Sequence, residues 1–141
     1  MSKVETKTSI IIFNRDEGFL RVTSMPDCTM ELADARLDFE EAAKLTNYTK
    51  VPVLADARNY TQHTKEVRDF YASKEMGENI TAMAVLVGSL PTRIIGNFFI
   101  QTSRPHFPTK LFTNEAAAIK WINEILIKEQ TEAEAKSGSN A

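Results

Sequence analysis

The chain has 141 residues, 43% apolar and 26% charged, with a net charge of −2. This is enough apolar material for one self-sufficient core, without a metal or disulfide to staple it. The balanced charge and the absence of a basic run argue against a dedicated nucleic-acid binder. The single cysteine, Cys28, rules out an intrachain disulfide.

The first seven residues are polar, and a frayed start is expected. Ser9–Phe13 (SIIIF) is a β-branched run, Asn14–Gly18 is dense in turn formers, and Gly18–Ser24 partly alternates. Together they predict a β-hairpin. From Thr29 to Tyr48 the apolar residues Leu32, Ala35, Phe39 and Ala42 recur at helical spacing, with Asp38, Glu40, Glu41 and Lys44 assigned to the opposite side. Val51–Ala57 (VPVLADA) reads as a short buried strand, with Pro52 near its start, where a missing N–H is tolerated. Thr64 is a good N-cap for a helix whose apolar face is Val67, Phe70 and Tyr71.

Ile80–Asn97 follows, where the apolar run AMAVLVG ends at Ser89 and a helix is expected from Leu90 to Thr102. A strand feeding a helix in this way marks an α/β fold, and its junction is where such folds gather ligands. Arg104–Pro108 cannot be helical because it holds two prolines. Thr109–Thr113 predicts a last strand, and Asn114 caps a final helix with the stripe Ala118, Trp121, Ile122 and Ile125. Residues 130–141 have too few apolar groups to pack, so a single domain over residues 1–129 with a disordered tail is expected. The strand–helix alternation after the hairpin predicts a mixed, mostly parallel sheet of about five strands, the N-terminal hairpin included.

This layout resembles the STAS family of anti-sigma-factor antagonists and anion-transporter domains. The resemblance is carried by VPVLADAR (Val51–Arg58), a degenerate Thr61–Phe70, AMAVLVGS (Ala82–Ser89) and Pro108–Ile122. It implies a STAS-like α/β domain, similar to small bacterial members of unassigned activity. Regulatory STAS domains carry an Asp-Ser-Ser/Thr-Gly-like motif whose hydroxyl is phosphorylated. Here the corresponding stretch is Gln62-His63-Thr64-Lys65-Glu66-Val67, and Thr64 is the one hydroxyl near the switch position. A phosphate there would meet a helix N-terminus.

Two functional expectations follow. The first is a non-enzymatic regulatory or protein-interaction module. Leu90, Ile94, Ile95, Phe98 and Phe99 spread over about half of their helix at 100° per residue, wider than the roughly 100° stripe that packing on one sheet needs. That surface suits a protein partner or a second copy of the chain, as a homodimer. The second is a small-anion or lipid-binding protein using Asp56, Arg58, Ser89, Arg93 and Arg104 at the carboxyl edge of the sheet. Asp56, Ser89 and Lys110 do not complete a response-regulator receiver, which needs an acidic pair after its first strand. Ser89, His63 and Asp56 lack the nucleophile elbow of a hydrolase. His63 and His106 stand apart in loops and make no metal site. No cofactor and no enzymatic activity are expected. The start MSKVETKTS lacks the apolar core of a secretory signal and no run approaches the ~20 residues of a membrane span, so a cytoplasmic protein is expected.

Overall fold

The computed structural model of the chain describes residues 1–59, 62–89 and 106–139. Eight strands are described: β1 (Ser2–Glu5), β2 (Ser9–Asn14), β3 (Phe19–Ser24), β4 (Thr29–Met30), β5 (Val51–Asp56), β6 (Gln62–His63), β7 (Ile80–Leu86) and β8 (Thr109–Phe112). The described helices are α1 (Leu32–Leu45), α2 (Lys65–Tyr71) and α3 (Glu115–Ser139), with a 3-10 turn at Met76–Glu78. Six strands form one sheet in the order β1-β2-β3-β5-β7-β8. The first three pair antiparallel and the rest parallel. The mixed, mostly parallel α/β sheet with an N-terminal hairpin is as expected.

The hairpin turns at Gly18, whose φ of 82° suits glycine. A Cβ built there would lie 3.5 Å from Leu126 of α3, so the helix passes close over the turn. The parallel strands are short apolar runs because both of their faces are covered. On one face Leu54, Ala84, Leu86 and Phe112 pack against Ala118 and Ile122 of α3. On the other, Ile11, Leu20 and Val53 pack beneath α1 and α2 with Val67, Phe70 and Phe39. Asn114 caps α3 as expected, its Oδ1 accepting from the Ala117 amide at 3.0 Å.

Four details depart from the sequence reading. The polar start is an edge strand, because Ser2–Glu5 pairs with Ile10–Phe13. Its shortness and its charged Lys3 and Glu5 suit an edge. Helix α1 starts at Leu32 rather than Thr29, because Thr29 and Met30 pair in parallel with Gln62 and His63. Asp38 belongs to the buried side of α1, with only 6% of its surface exposed. Beyond Glu129, where a disordered tail is expected, α3 continues to Ser139. That stretch has exposed side chains from Gln130 to Ser137, so the helical propensity of Ala, Glu, Gln and Lys carries it rather than packing. The expected helix Leu90–Thr102 falls outside the described residues. No described helix is long and apolar enough to cross a membrane.

One polar atom in the core has no partner among the described residues: the buried hydroxyl of Thr81 on β7. An unsatisfied buried hydroxyl is destabilising. Thr81→Val is therefore expected to raise stability by about 1 kcal/mol, measured by urea denaturation. A loss of stability would mean that the hydroxyl is satisfied in solution.

Candidate functional site

The carboxyl edge of the sheet brings together only part of the residues expected there. Asp56 ends β5, and Arg58 folds back onto it. The Arg58 Nε donates to Asp56 Oδ1 at 2.9 Å, Nη2 donates to Oδ2 at 2.7 Å, and the Arg58 amide donates to Oδ1 at 3.1 Å. These hydrogen bonds hold the Asp56 carboxyl below its usual range, against a smaller opposing effect of burial. The two-pronged face of Arg58 is thus directed at its own neighbour. Ser89 is exposed at the end of the segment after β7. Arg93 and Arg104 lie outside the described residues. So does the expected interface of Leu90, Ile94, Ile95, Phe98 and Phe99.

Thr64 sits at the N-cap of α2, where its Oγ1 accepts from the Val67 amide at 3.3 Å. This is the capping role read from the sequence, and it satisfies one of the four free amides of a helix start.

The more distinctive geometry is inside. A cavity of about 220 Å³ lies between the sheet and the α1–α2 layer. Its floor includes Ile11, Val22, Ala55, Met83 and Val85, and its roof includes Phe39, Ala42 and Tyr71. Ala55, Met83 and Val85 lie on central strands, yet they are only half-buried. A strand in the middle of a parallel sheet is normally covered on both faces. Their residual exposure marks where the layers do not meet.

Among the described lining residues the polar groups are a minority, and Asp38, Tyr71 and His63 are the titratable ones. Asp38 projects from α1 and is held by three hydroxyls of the β1–β2 turn. Thr6 Oγ1 donates to Oδ1 at 2.6 Å, while Thr8 Oγ1 and Ser9 Oγ each donate to Oδ2 at 2.7 Å. Thr6 Oγ1 in turn accepts from the Thr8 and Ser9 amides at 3.2 and 3.0 Å. Tyr71 donates its hydroxyl to the Met30 sulfur at 3.0 Å, a weak acceptor. Burial, aided by the charge of Asp38, pushes the Tyr71 hydroxyl well above its usual pKa. His63 is brought by β6 to within 5.6 Å of the Tyr71 ring, centroid to centroid. Burial, with a smaller contribution from Arg68, lowers its pKa and favours the neutral imidazole.

Sequence reasoning placed His63 in a loop and Asp38 on the solvent side of α1. The signal for Asp38 was present. It stands three residues after Ala35 and four before Ala42, on the same helical stripe, and three hydroxyl residues crowd Thr6–Ser9. His63 had no such signal, because a two-residue strand has no period to read.

The sequence matches, over residues 13–126, the model of a family described as a domain of unknown function, DUF7793. The chain belongs to that family. An uncharacterized protein of the DUF3478 family from Shewanella loihica PV-4, described as having a SpoIIAA-like fold, superposes with a TM-score of 0.60. The match covers 81% of this chain and 91% of that one at 11% identity, which shows a shared fold. The STAS-like resemblance read from the sequence is thereby shown at the level of fold. A protein of unknown function from Arthrobacter sp. FB24 matches at 26% identity over 80% of this chain and 97% of that one, with a TM-score of 0.30. No curated protein matches.

Removing the Asp38 carboxylate strands the hydroxyls of Thr8 and Ser9, which are 1% and 2% exposed. Asp38→Ala is expected to cost about 3 kcal/mol of folding stability, read from a urea titration. A cost below about 0.5 kcal/mol would show that water replaces the carboxylate at no penalty.

Proposed function

We propose that this domain is a non-enzymatic binding module that takes a small, mainly apolar molecule into the cavity beneath α1. The observation that carries this reading is a cavity of about 220 Å³ with an apolar wall in the middle of the sheet. An apolar cavity of about 150 Å³ stays dry and admits benzene, so one of this size suits a bicyclic aromatic or a short branched chain. The polar groups near the Asp56 edge support the choice by contrast, since Arg58 is engaged by Asp56.

A regulatory role fits the same geometry. The cavity is walled jointly by the sheet, α1 and Tyr71 of α2, so an occupant fixes the spacing of that helical layer. A protein partner resting on those helices would read the occupied and empty states differently.

Indole is a suitable probe. At about ten times its dissociation constant it is expected to stabilise the folded protein by roughly 1.4 kcal/mol, raising the melting temperature by a few degrees. Ala42→Phe places a ring inside the wall. This variant is expected to remain folded and to lose the indole-induced rise. An equal rise in both proteins would place indole elsewhere and contradict the proposal.

A further inference from the structure

The cavity wall is not neutral in its preferences. Asp38 is 6% exposed and lines the cavity, and its carboxylate accepts hydrogen bonds from three hydroxyls. No ion pair among the described residues includes it. Neither lysine nor arginine appears among the described residues that line the cavity. A carboxylate offers about four acceptor positions, and three are used here. A buried charge without an opposite charge carries a large desolvation penalty, which a cation placed beside it offsets.

Two further polar side chains of the wall, His63 and Tyr71, offer acceptors, while Ser24 and Asn79 bring neutral donors and no charge. A neutral imidazole at His63 offers an acceptor nitrogen. The Tyr71 hydroxyl already donates to Met30, so its oxygen also presents acceptor capacity. The rings of Phe39 and Tyr71 supply aromatic faces that attract cations. An anionic head would meet the Asp38 carboxylate with no cationic side chain among the described lining residues to answer it.

Building on the cavity reading above, we infer that the ligand is a small apolar molecule bearing a protonated amine, with the ammonium directed at Asp38 and the apolar body lying between Phe39 and the sheet. A short aralkyl amine has this form. Its ammonium supplies donors for the acceptor position that the three turn hydroxyls leave on Asp38. A hydrogen bond between two charged groups in a poorly solvated site is the strong kind, so the amine gains over a neutral alcohol of equal size.

Three probes share one apolar body and differ in charge: 2-phenylethylamine, 2-phenylethanol and phenylacetate. Isothermal titration of the wild-type protein at neutral pH is expected to rank the amine about tenfold or more tighter than the alcohol, with phenylacetate weakest. In Asp38→Asn the preference for amine over alcohol is expected to fall to about threefold or less. Should that variant fail to fold, the wild-type ranking decides alone. Equal binding of all three probes, tighter binding of phenylacetate, or an amine preference that survives in folded Asp38→Asn would overturn this inference and leave the cavity reading standing. Absence of binding by all three would overturn the cavity reading together with it.

Discussion

The buried carboxylate of Asp38 is the contact on which the α1 side of the fold is built. It draws the hydroxyls of Thr6, Thr8 and Ser9 onto one helix, and so ties the β1–β2 turn to α1. Two of those residues, Thr8 and Ser9, are almost fully buried. The buried hydroxyls of Thr8 and Ser9 depend on the carboxylate, and the carboxylate depends on all three, because a lone charge at 6% exposure is costly. The edge strand β1 is polar and short, with little apolar surface of its own to hold it. Its turn is fixed by this cluster, and α1 is held at a set position over the sheet.

That placement explains the cavity beside it. On the α3 face, Phe19, Leu54, Leu86 and Phe112 are large, and they close against Ala118 and Ile122. On the α1 face, small side chains line the gap: Ala42 and Ala43 from the helix, Ala55 from the central strand. A helix free to settle would sink toward them and fill the gap, since voids forfeit dispersion contacts on every wall. The polar anchor at Asp38 keeps α1 in register with the β1–β2 turn instead. The same residue thus fixes the roof of the cavity and sets the charge of its wall.

Much of this fold was readable from residues alone. The hairpin, the central strands and the capped α3 follow from β-branched runs, turn formers and helical stripes, and the STAS-like resemblance rested on them. What escaped was either too short or too polar to have a pattern. Strand β1 has charged residues at every second position, and β4 and β6 are two residues each. The candidate site was far less legible. A cavity arises from the difference between opposing side-chain volumes, and sequence order does not show which residues oppose. Ala42 and Ala55 come to line one cavity only through the packing of the helical layer on the sheet. Asp38 was misplaced because charged residues are so rarely buried, although its helical spacing put it on the apolar stripe.

Whether the space under α1 admits a small apolar molecule can be seen residue by residue. The most direct measurement is a two-dimensional amide and methyl NMR spectrum of the isotope-labelled protein, titrated with indole. Saturable shifts are expected at cavity residues such as Ile11, Val22, Ala42, Met83 and Val85, with methyl groups of the α3 face, such as Leu86 and Ile122, unmoved. Shifts scattered over the surface, or none up to the solubility limit of indole, would contradict binding there.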